Sequence, residues 1–340
     1  MKITIYDVAK KAGVSISTAS KALNGRKDVG DRTKDGICKI AKELNYEPSR
    51  FARALALRKT ENVGVISGRY YRAPVMTNPF YSRILEGIEE VMAETDYSLV
   101  TNVVKKEQID DMVLPKMVKE KSVDGLILLG HFPKEYAEMV IDRGIPVVMA
   151  DNSYDSAGAD SIAADNEGGA FKAVNELIKL GHKRIAYVSR GGRGSFQLRY
   201  DGYKRALAAN NMELDESLSV FCRENHEEAD DIREWMKRML DINPKPDALF
   251  MCNDVNAIMA INVLKDAGLS VPDDMSVVGF DNIELARHFI PSIATVNIPK
   301  EEMGRKAMSI LMDVIGNKRT AKEKILVPTE FIMGGSVRNR

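Results

Sequence analysis

The sequence predicts a small all-α helix-turn-helix headpiece followed by a two-lobed α/β core with parallel sheets. In residues 4–44, apolar side chains recur at helical spacing on both sides of a glycine-containing turn. From residue 63 onward, short apolar runs rich in β-branched residues alternate with amphipathic stretches of helix length. This alternation is typical of parallel sheets that helices cover on both faces. It continues for about 270 residues, which favours two lobes over a single sheet.

The first predicted helix has apolar residues at helical spacing, namely Ile5, Val8, Ala9 and Ala12. Thr4 and Asp7 stand three residues apart at its start, as in a capping box. Gly13 can adopt the positive φ that a tight turn requires, and Ser15 is a favoured N-cap residue. A second helix is therefore predicted from about Ile16 to Leu23.

The second helix carries its outward-facing residues mainly in its N-terminal half. These residues are Ile16, Ser17, Thr18, Ser20 and Lys21. Short polar side chains at these positions suit a close approach to base edges in the major groove of DNA. The pattern alone leaves open an ordinary helical hairpin with a solvated face.

A third helix is predicted to open near Gly30, after the turn at Asn24-Gly25. Its apolar stripe has the spacing i, i+3, i+4 and i+7 and consists of Ile37, Ile40, Ala41 and Leu44. Residues 1–48 are therefore predicted to form one small module, either a helix-turn-helix DNA-binding domain or an ordinary helical hairpin with a third helix. Residues 49–60 form a short, alanine-rich, basic connector. A helix of this length is marginal in water by itself, so these residues alone leave a plain linker open.

The net charge of the chain is zero, but the charges are unevenly distributed. Of the 49 basic and 49 acidic residues, residues 1–60 hold 14 Lys or Arg and 6 Asp or Glu. An excess of basic residues in one small module favours a nucleic-acid partner over a face that is merely solvated.

Cysteine usage and hydropathy indicate the compartment. Cys38, Cys222 and Cys252 lie far apart without a C-x-x-C unit, so neither a disulfide framework nor a zinc site is expected. Met1 is followed by a capped polar helix rather than a charged leader, and no apolar stretch approaches the ~18 residues of a membrane span. We therefore expect a protein of the reducing cytoplasm without a membrane partner.

Ten apolar runs predict the strands of the core, at residues 63–66, 97–104, 125–129, 146–149, 161–164, 184–189, 218–222, 248–251, 276–280 and 294–298. Amphipathic helices are predicted between them, including residues 84–94, 171–180, 197–210 and 257–267. In doubly wound sheets, ligands bind beyond the carboxyl ends of the strands. Residues that directly follow the runs are therefore candidates for a binding cleft.

Polar residues follow four of these runs and begin one helix. They are Asp151-Asn152, Asp165-Asn166, Asn253-Asp254, Asp281-Asn282 and Arg199. Carboxylates, amides and a guanidinium provide directional donors and acceptors for a polyhydroxylated or heteroaromatic small molecule. For each Asp or Asn, a simple role as an N-cap or turn residue is the alternative.

Enzyme motifs are not found in the sequence. Residues 191–194 follow a predicted strand and resemble a phosphate cradle, but they have neither G-x-G-x-x-G spacing nor a Walker Gly-Lys-Ser/Thr. The histidines form no H-x-x-x-H or H-E-x-x-H unit, and no G-x-S-x-G elbow occurs. Cys252 and Trp235 are expected to be packing residues. We therefore predict no enzymatic activity, no catalytic residue, no metal and no cofactor.

Two segments resemble the DNA-binding end of the LacI/GalR (lactose-repressor) family of bacterial transcriptional regulators. They are TIYDVAKKAGVSISTASKALNGRKDV (4–29) and LNYEPSRFARAL (44–55). The helix pair, Asn-Gly turn, third helix and hinge follow in the order and spacing of that family. The resemblance extends along the chain and implies a hinge at 49–60 and a periplasmic-binding-protein-like core at 61–340. It implies a first lobe at about 61–163 and 298–325, and a second lobe at about 164–297 and 326–340.

The resemblance also implies which residues contact DNA. They are Thr4, Tyr6, Ser15, Ile16, Ser17, Thr18, Ser20, Lys21, Asn24, Tyr46, Ser49, Ala52 and Leu55. In the family, the hinge folds into a helix when two chains meet on the operator, and a Leu at the position of Leu55 enters the minor groove. Gly30 departs from the family, whose members usually carry Ser or Thr near this helix start.

Six residues match positions that line the effector cleft of the family: Asn78, Phe80, Asp151, Arg199, Asn253 and Asp281. Arg199 resembles the arginine that grips the effector. Residues 68–77 are longer and more aromatic than the family's usual link between the first strand and the Asn-Pro-Phe motif. This departure leaves the effector class open, because Tyr70 or Tyr71 could stack on a sugar or a base, or lie in an ordinary surface loop.

We therefore expect a transcriptional repressor that binds a pseudo-palindromic operator in double-stranded DNA as a homodimer or a dimer of dimers. A small molecule, expected to be a sugar or sugar derivative, would bind between the lobes and control operator affinity. The alternatives are a purine-responsive, corepressor-type regulator, a sugar-binding transport receptor and a nucleotide-dependent α/β enzyme. The basic headpiece disfavours the transport receptor, and the missing phosphate and catalytic motifs disfavour the enzyme.

Overall fold

The computed structural model describes residues 3–24, 28–46, 59–69, 77–152, 158–190, 194–222 and 228–340. Within these ranges the headpiece contains the helices α1 (Ile5–Ala12), α2 (Ile16–Leu23) and α3 (Asp31–Glu43). They pack around a small apolar core of Val8, Ala9, Ala19, Ala22, Ile37 and Ala41. The helical spacing in the sequence therefore corresponds to one shared apolar interior.

The starts of α1 and α2 follow the predicted capping. The backbone N–H of Thr4 donates to Asp7 Oδ2 at 2.9 Å, and the backbone N–H of Thr18 donates to Ser15 Oγ at 3.0 Å. Gly13 adopts a φ of 66°, in the left-handed region. Side-chain oxygens thus satisfy amide groups that lack an intrahelical partner. The capping, the turn and the bounds of the second helix are confirmed.

The core is built on parallel strands. In chain order the strands are β1 (Asn62–Arg69), β2 (Ser98–Lys105), β3 (Gly125–Leu129), β4 (Val147–Ala150), β5 (Asp160–Ala164), β6 (Ile185–Arg190), β7 (Ser219–Cys222), β8 (Ala248–Met251), β9 (Ser276–Val278), β10 (Thr295–Asn297), β11 (Lys324–Val327) and β12 (Glu330–Ile332). One sheet has six strands in the order β11-β5-β4-β3-β1-β2, and another has four in the order β7-β6-β8-β9. The pairs in both sheets are parallel.

Helices cover these sheets. In chain order they are α4 (Tyr81–Met92), α5 (Lys106–Asp110), α6 (Lys116–Lys119), α7 (Lys134–Ile141), α8 (Asn166–Lys179), α9 (Gly194–Ala209), α10 (Glu228–Asp241), α11 (Asp254–Asp266), α12 (Glu284–His288) and α13 (Lys300–Ile315). On β3, Ile127 and Leu129 join one apolar cluster, whereas Leu126 and Leu128 join another. Each face of the six-stranded sheet is therefore buried against helices.

We call the six-stranded sheet with its helices the first lobe, and the four-stranded sheet with its helices the second lobe. The short strand β10 lies beside the second-lobe sheet, because bridges join Val278 to Ala294 and Asp281 to Asn297. The chain then passes directly into α13, which packs against α4 of the first lobe. This passage is one of the crossovers between the lobes.

The contact between α4 and α13 is unusually close. A Cβ atom added at Gly87 would stand 2.0 Å from the carbonyl oxygen of Glu301, and one added at Gly304 would stand 2.0 Å from that of Ile84. Only glycine lets two helix backbones approach to this distance. The two helices therefore form one tightly packed unit of the first lobe.

Each of the ten predicted runs contains a strand, but some elements differ from prediction. The sequence does not predict β11, β12 or α13. The apolar run of β11 has only three residues, 325–327, which is shorter than the roughly four to eight residues that indicate a strand. The run at 276–280 is a strand only to Val278, since Asp281 and Asn282 turn away with φ of 104° and 51°. Trp235 packs against the second-lobe core, as predicted. No helix within the described ranges is both long and apolar enough to span a membrane.

Candidate functional site

The headpiece presents several predicted DNA contacts to solvent. Exposed are Thr4, Tyr6, Ser15, Ile16, Ser17 and Lys21, and half-buried are Thr18, Ser20, Asn24 and Tyr46. Ser49, Ala52 and Leu55 lie outside the described residues. Tyr6 is 66% exposed and Ile16 is 40% exposed, although both are large apolar side chains. The two side chains are therefore accessible to a partner molecule.

Some polar groups of this surface bind within the headpiece. Asn24 Nδ2 donates to the carbonyl oxygen of Ser20 at 2.8 Å and helps to end α2. Lys21 Nζ lies 2.6 Å from Asp28 Oδ2, and both side chains are about half exposed. An exposed ion pair of this kind contributes little stability. Lys21 can therefore exchange Asp28 for another anion at low cost.

Arg199, in the first turns of α9, is the centre of a buried polar cluster in the second lobe. Its Nε donates to Asn166 Oδ1 at 2.9 Å, one terminal nitrogen donates to the carbonyl oxygen of Cys252, and the other donates to Asp281 Oδ1 at 3.0 Å. Its guanidinium carbon lies 3.8 Å from the centre of the Phe280 ring. These contacts, each to a different acceptor, and the stacking on Phe280 hold the guanidinium in one orientation.

Asp281 joins this cluster to the backbone of the second lobe. Burial raises its pKa, and the positive charges of Arg199 and Lys300 act in the opposite direction. Its carbonyl oxygen accepts a hydrogen bond of 2.5 Å from Lys300 Nζ. The residue therefore contacts one cation through its carboxylate and another through its backbone.

Asp151 reaches the same region from the first lobe. It follows β4, and its Oδ2 accepts a hydrogen bond of 2.9 Å from the hydroxyl of Tyr81. Burial raises the pKa of Asp151 to about 6; the Tyr81 hydrogen bond and the charge of Arg199 lower it, and the charge of Asp281 raises it. The carboxyl of Asp151 on the first lobe is thus electrostatically coupled to Arg199 and Asp281 of the second lobe.

The lobes also meet beside this cluster. A Cβ atom added at Gly194, where α9 begins, would stand 3.2 Å from Nδ1 of His131, which follows β3 in the first lobe. Gly194 has a φ of 57°. Glycine is therefore favoured here by conformation as well as by space.

Asp254 holds the backbone next to the cluster. It is fully buried at the start of α11, and its carboxylate accepts hydrogen bonds from the backbone N–H of Ile283 at 2.9 Å and from Thr295 Oγ1 at 2.5 Å. Burial, followed by the negative charge of Asp281, raises the pKa of Asp254 to about 8. Through these two hydrogen bonds Asp254 holds the chain just after Asp281.

Three predicted effector residues have local structural roles. Asn253 Oδ1 accepts from the backbone N–H of Asn256 at 2.8 Å and caps α11. Asn78 Oδ1 accepts from the backbone N–H groups of Phe80 and Tyr81 at 2.9 and 3.3 Å. Phe80 is 8% exposed and belongs to the apolar core. The capping alternative therefore describes Asn253, whereas Asn78 closes a turn before α4, and a ligand contact by any of the three stays a prediction.

Part of the cluster is not predicted from the sequence. Phe280 and Lys300 are absent from the predicted site, and Asn166 is noted there only as a polar residue after a strand. Phe280 directly precedes the predicted site residue Asp281, and this adjacency is the sequence feature that could have indicated it. No local pattern marks Lys300, because its partners lie up to 19 residues away in the chain.

The cluster leaves several polar groups for a ligand. A guanidinium has five N–H donors. Three of the donors of Arg199 bond to acceptors in the part of the chain that the structure describes. Within the same residues, the hydrogen bonds described above use only Oδ1 of Asp281 and Oδ2 of Asp151. The remaining donors and carboxylate oxygens are the candidates for contact with a small polar molecule. No group of His, Cys, Asp and Glu suited to a metal ion occurs among the described residues.

Comparison with known families matches both parts of the chain. Residues 4–49 match "Bacterial regulatory proteins, lacI family", and residues 174–337 match "Periplasmic binding protein-like domain". The HTH-type transcriptional repressor PurR of Vibrio campbellii is 33% identical over 341 residues, which cover 98% of each chain. Catabolite control protein A of Priestia megaterium is 33% identical over 333 residues, which cover 96% of each.

Solved structures agree with this assignment. The transcriptional regulator CelR–cellobiose complex is 29% identical with a TM-score of 0.74, covering 98% of this chain and 100% of that one. The lac repressor dimer bound to operator and the anti-inducer ONPF has a TM-score of 0.83 at 24% identity, covering 99% and 100%, which shows the fold alone. The predicted fold class is confirmed. Because the headpiece matches the family and relatives of 33% identity extend along almost the whole chain, this protein belongs to the lacI family of bacterial regulatory proteins.

Proposed function

We propose that this chain is a cytoplasmic transcriptional repressor whose affinity for operator DNA is controlled by a small molecule bound between its lobes. Membership of the lacI family supports DNA binding, and the relative PurR of Vibrio campbellii is named a transcriptional repressor. The relatives are regulators rather than enzymes.

The DNA is proposed to be a pseudo-palindromic operator bound by a homodimer or a dimer of dimers. In each protomer, α2 would enter the major groove and present Ile16, Ser17 and Lys21, whose exposure supports this role. Two-fold symmetry of the protein requires matching half-sites in the DNA. Ser49, Ala52 and Leu55 are proposed as the contacts of the hinge.

The effector is proposed to be a sugar or sugar derivative. The observation that carries this proposal is the buried cluster of Arg199 and Asp281 with Asp151 beside it. Its remaining N–H donors and carboxylate oxygens can bind several hydroxyl groups at once, which suits a polyhydroxylated molecule. The bound cellobiose of the CelR complex supports the same chemical class.

A purine that acts as a corepressor is the second candidate, because relatives along the whole chain are named PurR. A flat base is held best between apolar or aromatic faces. The ring of Phe280 already carries the Arg199 guanidinium on one face. On that face Phe280 cannot stack on a purine, whose hydrogen bonds would go to Asp151 and Asp281.

A melting-temperature screen tests the effector. The full chain is heated with D-ribose, cellobiose, glucose 6-phosphate, adenine, guanine or hypoxanthine. A compound that binds the native state at a hundred times its Kd stabilises it by about 2.7 kcal/mol, which raises the melting temperature. Arg199→Met should lose the shift, whereas Arg205→Met should keep it, because Arg205 lies exposed on the same helix and pairs with Glu167.

Compounds that shift the melting temperature are then titrated into the complex with an operator duplex selected from a randomised pseudo-palindromic library. A sugar that changes operator affinity supports the proposed effector class. A purine base that does so would show that the effector is a purine and not a sugar. A folded protein that binds no member of the library at low salt would contradict the regulator function itself.

A further inference from the structure

Lys300 is a buried lysine whose hydrogen bonds go to backbone carbonyls. Its side chain is almost fully buried, and Nζ lies 2.5 Å from the carbonyl oxygen of Asp281, 3.0 Å from that of Ile298 and 3.4 Å from that of Asn282. An ammonium group has three protons, so each of them has an acceptor. Burial of a charged amine is unfavourable. A lysine kept at such a position calls for an explanation beyond filling space.

The position of Lys300 in the fold is a crossover between the lobes. It is the first residue of α13, and α13 lies backbone to backbone with α4 at Gly87 and Gly304. The start of α13 is therefore fixed to the first lobe. The ammonium group points back to the loop of Asp281 and Asn282, which belongs to the second lobe.

The loop that receives these hydrogen bonds has an unusual backbone. Asp281 and Asn282 have consecutive positive φ values of 104° and 51°. Positive φ is uncommon outside glycine, although Asp and Asn adopt it more often than other residues. Lys300 bonds to the carbonyl oxygens of both residues, while Arg199 bonds to the carboxylate of Asp281. One residue, Asp281, thus connects the cleft with the crossover.

We propose that Lys300 is a positioning residue that couples Asp281 in the cleft to the start of α13, and so to the arrangement of the lobes. This inference deepens the proposed function, on which it rests. A ligand that takes over part of the contact between Arg199 and Asp281 moves the backbone of Asp281. The ammonium of Lys300 passes this movement to the first turn of α13, which carries it into the first lobe.

A double-mutant cycle on the full chain tests this coupling without any ligand. Asp281→Asn perturbs the cleft, and Lys300→Met removes the ammonium while keeping a long apolar side chain. The readout is hydrogen–deuterium exchange of the amides in residues 300–308. Asp281→Asn should raise their exchange by about threefold in the presence of Lys300, and have almost no effect in the Lys300→Met background.

Lys306→Met is the matched control. Lys306 lies on the same helix with its side chain 43% exposed, and it pairs with Glu302 at 3.1 Å. The Asp281→Asn effect on residues 300–308 should persist in this background. A lysine that is merely structural would raise exchange by itself, but its effect would add to that of Asp281→Asn.

Equal effects of Asp281→Asn in the native and Lys300→Met backgrounds would overturn the inference, as would no effect in either. If circular dichroism shows that Lys300→Met does not fold, Lys300→Gln takes its place in the same cycle. The cycle is independent of the effector screen. A failed cycle therefore leaves the effector proposal standing, and an effector screen without hits leaves the measured coupling unchanged.

Discussion

Replacing Asp281 by asparagine separates its charge from its geometry. Asp281 Oδ1 accepts from Arg199 at 3.0 Å, and the two side chains are 13% and 4% exposed. An asparagine side chain keeps an oxygen at this position, and asparagine tolerates positive φ better than most residues. Asp281→Asn should therefore cost about 1–2 kcal/mol, the difference between a charged and a neutral acceptor. Asp281→Ala leaves the guanidinium buried without its partner and should cost about 3–5 kcal/mol.

The melting temperature of the full chain measures this difference. With about 2–4 °C per kcal/mol for a core of this size, the asparagine variant should melt about 2–8 °C lower and the alanine variant about 6–20 °C lower. Both should lose the response to an effector, while operator affinity measured by gel shift changes by less than about twofold. Equal losses of melting temperature would refute the role of the Oδ1–Arg199 bond. An unchanged effector dose response would place Asp281 outside the cleft.

Four further substitutions test other parts of the structure. Tyr81→Phe removes a hydrogen bond that lowers the pKa of Asp151, so this pKa should rise above about 6 in a carboxyl-carbon NMR titration. The pKa of Asp151 in the folded chain is raised above its ordinary value of 3.8, so its contribution to stability is present below pH 3.8 and is lost as pH rises to about 6. In Tyr81→Phe this loss of stability should extend to a higher pH. In Gly304→Ala the new Cβ would stand 2.0 Å from the carbonyl oxygen of Ile84, so α4 and α13 must separate by about 1.4 Å to reach an ordinary contact of about 3.4 Å. Urea unfolding should show a core destabilised by ~1–3 kcal/mol. Gly36→Ala in α3 is the control: its Cβ would meet nothing within 4 Å, and it should stabilise the headpiece by ~0.5–1 kcal/mol. Asp28→Asn releases Lys21 from its ion pair, so gel shifts should show stronger operator binding with a steeper salt dependence. An unchanged salt slope would exclude Lys21 from phosphate contact.

The strands of the core could be predicted because a buried parallel strand requires a continuous apolar run. The run 248–251 is an example, since all four of its residues are buried. The strand β11 could not be predicted, because its apolar run, 325–327, is shorter than the roughly four to eight residues that indicate a strand. In the headpiece, the caps at Thr4 and Ser15 depend on neighbours three residues away, so the sequence contains the whole interaction.

The candidate site was predictable only in part, for the same reason. Asp151, Arg199 and Asp281 stand after strands or at a helix start, where the topology brings polar side chains together. Asn253 occupies the same kind of position, yet its side chain caps its own helix. Sequence does not distinguish these outcomes, because capping and ligand binding favour the same residue types. Lys300 has no local signal, since its partners meet it only in the tertiary fold.

The ion pair between Lys21 and Asp28 bears on how such a protein searches a genome. Every DNA-binding protein competes against an excess of irrelevant sites, which attract basic residues as strongly as the correct site does. A carboxylate 2.6 Å from the lysine ammonium lowers this indiscriminate attraction. Because the exposed pair contributes little stability, giving it up costs the same small amount on any DNA. Asp28 would thus shorten the time spent on DNA by weakening the attraction of Lys21 to phosphate, without touching a base.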